Sequence, residues 1–494
     1  MSYASFQVFQ SGKLFGLKAE KGQNLLRALR ERGFVIKADC SGAYTCGKCK
    51  VKIEPSPEPT EADKRLLTES EIAGGIRLAC AHEVFDGITV TLPDTEEIKS
   101  AVIQSVNIKA KGVLKAALDI GTTTLSLCVF NQKGEILGSV SGNNPQSSFG
   151  ADVISRIKAE RDFPGVQHNL LISKTNEMSE SFFADLGISK PLDLFVCGNT
   201  VMLHFFFGES PVSMGEYPYT PVFLESKTAD GGEIGLKGFD KVCSLSCLAP
   251  FAGADITAGI LSLYEETDDY KLLIDLGTNA EIALFNKERC FVATAAAGPA
   301  FEGANIRCGM PSISGAVKAF KLINGNIYAE TIDNKELRGI CGSGLISIAA
   351  ELIRNRIVDK TGRMFASRFE ISENVAIYPE DIRELQLSKA AVRAAAEEII
   401  ERSGIGYSDI SRLCLSGGFG TYINTDDAAF LGLFPPELKE KAEGIGNSAI
   451  RGCVMYASDE KIRSAAERIV KSAQVFDLAV LSDFSEKLIK HIDF

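Results

Sequence analysis

Two distant stretches of the chain repeat one another. Ala117-Leu118-Asp119-Ile120-Gly121-Thr122-Thr123-Thr124-Leu125 is echoed by Leu273-Ile274-Asp275-Leu276-Gly277-Thr278-Asn279-Ala280-Glu281, with Asp119 aligned to Asp275, Gly121 to Gly277 and Thr122 to Thr278. In each copy an apolar strand ends in Asp, a Gly-Thr turn follows and a second alternating strand begins. This pattern predicts a β-hairpin whose tip exposes backbone amides and hydroxyls. One such turn is common in ordinary hairpins, whereas two copies in register predict a facing pair with a cleft between them. Amides at Gly121 and Gly277, with Thr122, Thr123, Thr124, Thr278 and Asn279, can cradle β- and γ-phosphates, while Asp119 and Asp275 can hold Mg²⁺ directly or through water. The plainer alternative for both aspartates is hydrogen-bond acceptance at a hairpin tip.

Other segments fit around that pair. Val196-Cys197-Gly198-Asn199-Thr200 reads as a strand followed by a turn, and Asp255 stands at the head of a glycine-containing helix, as a helix cap or as a water-orienting base. Ser388 is expected to cap a long Ala/Glu helix that Gly404 ends. Leu413-Cys414-Leu415-Ser416-Gly417-Gly418-Phe419 runs from a strand into glycines, a surface on which an adenine ring can lie. No Gly-x4-Gly-Lys-Ser/Thr loop occurs. Gly444-Ile445-Gly446 follows a Lys/Glu stretch rather than a predicted strand, which argues against a dinucleotide fingerprint there. His204, ahead of three phenylalanines, reads as a buried core histidine.

Near the amino terminus, Cys40, Cys46 and Cys49 lie on one tight loop and Cys80 returns from downstream. Two irons bridged by sulfides need four thiolates from two sides, and Ser41-Gly42-Ala43 and Gly47 are small enough to let backbone wrap such a centre. The spacing resembles the plant-type and adrenodoxin-type ferredoxin loop. A structural zinc site or four unrelated buried thiols are the alternatives, but zinc ribbons usually offer two Cys-x2-Cys pairs and here Cys80 stands alone. Ahead of the loop, residues 24–33 read as a helix with an Asn24 cap and a Gly33 stop.

Composition narrows the function classes. The 494 residues are 45% hydrophobic and 24% charged, ordinary for a folded globular chain. No apolar run is long enough for a membrane span and Met1-Ser2-Tyr3 opens no signal-peptide pattern, so a cytoplasmic protein without membrane contact is expected. A formal charge of −11 argues against nucleic acid as partner. Thirteen cysteines, nine of them scattered through apolar sequence, point to a reducing, anaerobic setting. The expected organisation is a cluster domain over 1–92, a linker over 93–112, and two lobes over 113–262 and 263–494. If flexible, that linker has an r.m.s. span of roughly 25 Å, enough for a small redox domain to visit two partners.

Residues 113–460 resemble the superfamily of acetate and sugar kinases, heat-shock chaperones and actin. The Asp119 segment resembles its first phosphate motif, the Asp275 segment its second, and Gly417-Gly418 its adenosine motif. The stretches from Gly253 to Gly259 and from Gly446 to Gly452 resemble its connecting helices. Joined to a ferredoxin-like front, and with Asn144-Pro145-Gln146, Gly150 to Arg156, Gly198-Asn199-Thr200 and Ala297 to Gly303, the chain resembles the reductive activators of corrinoid proteins. That resemblance implies an α/β architecture: an N-terminal β-grasp ferredoxin-like domain followed by a two-lobed ribonuclease H-like ATPase core. It further implies a [2Fe-2S] cluster on the four cysteines, ATP and Mg²⁺ in the cleft, and catalytic roles for Asp119, Asp255 and Asp275. The implied reaction is ATP-dependent one-electron reduction of a partner's Co(II) corrinoid to Co(I), with an upstream electron donor. Asp119 follows Leu92 too soon for the extra domain some members carry, and nothing after Cys453 matches the cysteine-rich tail of others. A homodimer is carried only as the commonest prior. The competing readings are a small-molecule kinase with a redox-sensing ferredoxin domain, and a binding module in which ATP gates docking while the electron comes from elsewhere.

Overall fold

The computed structural model describes residues 2–93, 100–103, 112–418 and 420–494. In the first unit, strand Tyr3–Gln10 buries alternate residues, Ala4, Phe6 and Val8, because successive side chains point to opposite faces. It sits inside a five-stranded sheet of spatial order 13–20, 3–10, 89–91, 50–54, 76–78. Helix Leu25–Arg30 packs across that sheet with Leu25, Leu26, Ala28 and Leu29 buried. Asn24 caps it by accepting from the Arg27 amide at 3.2 Å. The helix ends a turn before the expected Gly33 stop; Gly33 serves the following turn at φ +77° instead. A sheet with a helix laid across it is the β-grasp expected.

Within the segment expected to be a linker, Ser100–Ile103 forms a strand pairing antiparallel with Ile136–Asn143. Its neighbours at 94–99 and 104–111 lie outside the described residues.

The remainder is built twice on one plan. The seven-stranded sheet contains the order 239–244, 192–198, 114–120, 124–131, 136–143, and the six-stranded sheet contains 442–446, 410–416, 270–276, 280–285, 290–295. In both, a three-strand antiparallel meander carries two parallel strands on its first edge. That shared order is the physical content of the sequence repeat, and it is the ribonuclease H-like duplication anticipated. Strand 442–446 corrects one reading: the stretch ending at Gly446 is itself a strand, with the approach through Lys and Glu lying in the turn before it.

Two helices join the halves. Ala254–Ser262 and Ser448–Ser458 cross so closely that a Cβ on Gly452 would stand 1.7 Å from the Ala258 carbonyl oxygen. Ala449, Cys453, Val454 and Ala457 from the second helix enter the same core as strands 114–120 and 192–198, so residues late in the chain complete the first lobe.

The long Ala/Glu helix is Pro379–Ser403, with Gly404 at φ +71° as its stop. Its start is corrected from Ser388, which lies buried in its middle. Pro379 at the first helical position and Asp381, which accepts from the Tyr378 amide at 2.9 Å, form the true N-terminus. No helix among the described residues is long and apolar enough to cross a membrane.

Candidate functional site

The cysteine loop is shaped by residues with left-handed backbone: Ser41, Gly42, Tyr44 and Gly47 all have positive φ. At Gly47, φ +66°, a Cβ would meet Leu66 at 3.2 Å, so a side chain here would be both strained and crowded. Asp39 and Lys48 clasp the loop's two ends with an ion pair of 2.6 Å. Cys80 is brought alongside by the Ala79 amide donating to the Cys49 carbonyl at 2.8 Å, while Asn24 Nδ2 donates to the Cys80 carbonyl at 2.6 Å. The helix cap and the fourth cysteine are therefore held by one side chain.

The four thiols act on one another: Cys40 bonds with Cys46 and Cys49 with Cys80, and the charges of Cys40 and Cys46 also bear on Cys80. Burial raises the Cys40 pKa, but hydrogen bonds from Thr45 and Cys46 outweigh it and draw it down to about 6. The Cys80 hydrogen bond pulls Cys49 down, while Cys80 is pushed up by the same bond and by burial. Among the described residues no three His, Cys, Asp or Glu side chains converge on a single-ion site. Three thiols on one loop and a fourth returning beside Cys49 fit a two-iron centre with two thiolates per iron. A buried cation completes the site: Arg30 is 4% exposed, all four cysteines act on its charge, and its Nε has no hydrogen-bond partner.

The two repeat hairpins meet at a cleft of about 410 Å³. Asp119, Gly121, Thr122, Thr123, Thr124, Asp255, Asp275, Gly277, Thr278, Asn279, Gly417 and Gly418 all line it. Phe419 lies outside the described residues. Gly417, at φ +118°, would place a Cβ 2.2 Å from the Leu276 carbonyl oxygen, so the chain leaving strand 410–416 runs close against the end of the neighbouring strand 270–276. Gly418 faces open space, beside Thr421 and Tyr422.

Several cleft residues escaped sequence reasoning. Glu302 Oε2 accepts from Thr123 Oγ1 at 2.7 Å and from Thr278 Oγ1 at 2.5 Å, bridging the two hairpins. Its signal was the glycine-rich run Gly298 to Gly303, which had suggested only family likeness. Asn447 Nδ2 donates to Asp119 at 2.9 Å, and Ser416 and Ser448 hydroxyls donate to Asp275 at 3.0 and 3.3 Å. The aspartates thus have matched supports, both drawing on the start of helix Ser448–Ser458. Asp255 is not the helix cap, since Gly253 holds that position without a side-chain bond; its carboxylate accepts from the Ile256 amide and faces the cleft.

Charge in the cleft is concentrated and one-signed. Glu281 sits directly across the strand pair from Asp275, where two like charges repel. Burial first, then the neighbouring carboxylates, raise Asp119 and Asp255 to about 7 and push Asp275 and Glu281 up as well. No three of these carboxylates form a ready-made ion site. They fit a Mg²⁺ that arrives with phosphate oxygens and takes one or two carboxylates.

Residues 144–156 touch both sites. Asn144 Nδ2 donates to the Gly121 carbonyl at 2.8 Å, and buried Arg156 donates to the Thr122 carbonyl at 2.6 Å and the Gly150 carbonyl at 3.0 Å. On the other side Arg30 donates to the Ser148 carbonyl, its guanidinium lies 5.1 Å from the Phe149 ring centre, and the Ala151 amide donates to the Asp39 carbonyl at 3.3 Å. His204 takes no part: it is buried between the Thr200 carbonyl and the Val222 amide and stacked on Phe223.

The chain is similar to several known proteins. Residues 8–84 match the 2Fe-2S iron-sulfur cluster binding domain family, 114–265 the RACo middle region, and 269–494 the C-terminal, ASKHA domain of RACo. Corrinoid activation enzyme RamQ of Eubacterium limosum is 30% identical over 423 residues, 77% of this chain and 70% of that one. The [Co(II) methylated amine-specific corrinoid protein] reductase of Methanosarcina barkeri is 27% identical over 323 residues, 58% of each chain. A solved structure described as a reductive activator for corrinoid, iron-sulfur protein superposes with a TM-score of 0.72 at 24% identity, covering 99% of this chain and 98% of that one.

Proposed function

This chain belongs to the family of corrinoid-protein activators, and we infer from that premise that it restores the inactive Co(II) corrinoid of a partner protein to Co(I) at the expense of ATP. The observation that carries this reading is the convergence of both Asp-x-Gly-Thr hairpins on one acidic cleft, in the same chain as a cysteine loop with Cys80 held beside Cys49. The kinase alternative is not favoured, because the relatives are named as activating and reducing enzymes of corrinoid proteins.

The residues have separable tasks in this proposal. Cys40, Cys46, Cys49 and Cys80 hold the two-iron centre. When bound, that centre supplies the single electron the reduction needs. Gly121, Thr122, Thr123, Thr124, Gly277, Thr278 and Asn279 present amides and hydroxyls to the phosphates, and Gly417 and Gly418 leave room for the adenosine. Asp119 and Asp275 take Mg²⁺, with Asn447, Ser416 and Ser448 fixing their orientation. Asp255, raised to about 7 by burial and its acidic neighbours, is suited to accept a proton from the attacking water. Nucleotide enters between hairpins that belong to different sheets, so binding and cleavage change how those sheets sit. Differential affinity for the Co(II) and Co(I) forms of the partner is then the means by which ATP drives the reduction. An upstream donor recharges the chain, and cytoplasmic residence as a homodimer completes the proposal.

The test is anaerobic corrinoid reduction by the reconstituted protein with a corrinoid partner and MgATP. Full rate and extent with Asp275→Ala would defeat the proposed role of ATP. Unchanged activation by Cys46→Ser would favour the binding-module reading, in which the electron comes from elsewhere.

A further inference from the structure

Arg30 is an unusual residue to find sealed between the cysteine domain and the segment 144–156. Guanidinium groups are almost never fully buried without a carboxylate partner, yet this one forms no ion pair among the described residues. Its Nη1 donates weakly to the Ser41 carbonyl at 3.4 Å, inside the cysteine loop, and its Nη2 to the Ser148 carbonyl, in the ATPase core. Nε has no hydrogen-bond partner. Burial lowers its pKa to about 10 against the opposing pull of all four cysteines, so it remains a cation at neutral pH. The counter-charge its position implies is the cysteine site itself.

We propose that Arg30 tunes the redox potential of the two-iron centre, and that its anchorage on Ser148 and Phe149 makes this tuning respond to nucleotide in the cleft. A nearby cation favours the more negative, reduced state of a thiolate-bound centre, and net charge and hydrogen bonding are among the principal determinants of such potentials. Arg30 therefore raises the potential, and its removal lowers it. The nucleotide dependence follows from continuity. The segment that seats the guanidinium also braces the first phosphate hairpin, through Asn144 on the Gly121 carbonyl and Arg156 on the Thr122 carbonyl. A shift of that hairpin on binding phosphate moves Ser148 and Phe149 relative to the cysteine loop. This inference rests on assigning Cys40, Cys46, Cys49 and Cys80 as cluster ligands.

The experiment is a spectroelectrochemical titration of the anaerobically reconstituted full chain, with and without a non-hydrolysable MgATP analogue. The variants are Arg30→Met, which keeps the stem and removes the charge, and Arg30→Lys, which keeps the charge. Arg30→Met is expected to disfavour reduction about tenfold, a fall of about 59 mV for one electron, while Arg30→Lys stays within threefold of wild type. The analogue is expected to move the wild-type midpoint and to leave that of Arg30→Met unmoved. A residue that merely glued the two domains together would alter melting but not the potential. An Arg30→Met midpoint within twofold of wild type, a wild-type midpoint insensitive to the analogue, or a nucleotide shift that survives in Arg30→Met overturns the inference. Should Arg30→Met not retain iron, Phe149→Leu leaves the cysteine loop intact and removes the ring beneath the guanidinium. It is expected to lose the nucleotide shift, and keeping it whole overturns the inference equally. A colourless, iron-free wild type would instead sink the ligand assignment, which iron content reports separately from any potential.

Discussion

Replacing Gly452 by alanine should uncouple the two lobes. Helices Ala254–Ser262 and Ser448–Ser458 touch backbone to backbone at this point, where a Cβ would stand 1.7 Å from the Ala258 carbonyl oxygen and 2.5 Å from its carbon. Real Cβ contacts do not fall below 3.0 Å, so the helices must part by at least 3.0 less 1.7, or 1.3 Å. Neither obstacle is a flexible side chain, which leaves helix displacement as the only relief. Overpacking of this kind costs about 1–3 kcal/mol, and in a unit of this size each kcal/mol lowers Tm by about 2–4 °C. The functional consequence is larger, because Asn447 and Ser448 begin the displaced helix. Their bonds of 2.9 Å to Asp119 and 3.3 Å to Asp275 do not survive a movement of that size. ATP turnover should fall at least about tenfold, the equivalent of about 1.4 kcal/mol in the barrier. Gly259 provides the control: its Cβ would meet only the ends of the Leu273 and Ser448 side chains, at 2.8 and 3.0 Å, so Gly259→Ala should be milder in both respects. Denaturant unfolding and phosphate release measure the two effects. A Gly452→Ala protein within about 0.5 kcal/mol of wild type and with full turnover would refute the argument that this crossing positions the cleft carboxylates.

Three further outcomes are expected. Asp119 has a folded-state pKa of about 7 against an unfolded value of about 3.9. The folded state therefore binds more protons between those values, and its contribution to nucleotide-free stability is present below pH 4 and lost as pH rises through 7. Melting temperature against pH should flatten over that interval in Asp119→Asn, and an unchanged slope would contradict the burial argument. Glu302→Ala removes the carboxylate shared by Thr123 and Thr278 and should reduce kcat for ATP hydrolysis by about 10²-fold, with folding retained by circular dichroism; a kcat within twofold of wild type would exclude a role in the reaction. Arg156→Lys gives up the two-point hold on the Thr122 and Gly150 carbonyls and should weaken MgATP binding about tenfold by calorimetry, as expected for lost charge-assisted hydrogen bonds; unchanged affinity would mean that the hairpin keeps its shape unaided.

Much of this molecule was legible before folding was considered. Strand and hairpin identity follows from local alternation and from Gly-Thr turns, so Asp119 and Asp275 could be placed at equivalent strand ends and paired with their threonines. Cysteine spacing likewise needs no tertiary information, because the loop from Cys40 to Cys49 is short enough that backbone geometry brings three thiols together. Helix ends were less secure: Ser388 resembled a cap but lies mid-helix, and Pro379 and Asp381, nearer the start, supply a stronger N-terminus.

Tertiary structure alone decided which distant residues support the site. Glu302 reaches hydroxyls on both hairpins, Asn447 crosses from the end of the chain to Asp119, and Arg30 leaves its own domain to bond Ser148. Such contacts join positions separated by up to 328 residues, and no local periodicity encodes them. Sequence determined the hairpins, the thiol loop and the chemistry each can offer, since those depend on neighbours along the chain. The packing of two sheets through Gly452, and the buried cation that ties cluster loop to nucleotide cleft, arise only when the cores close and each polar group must find its partner out of water.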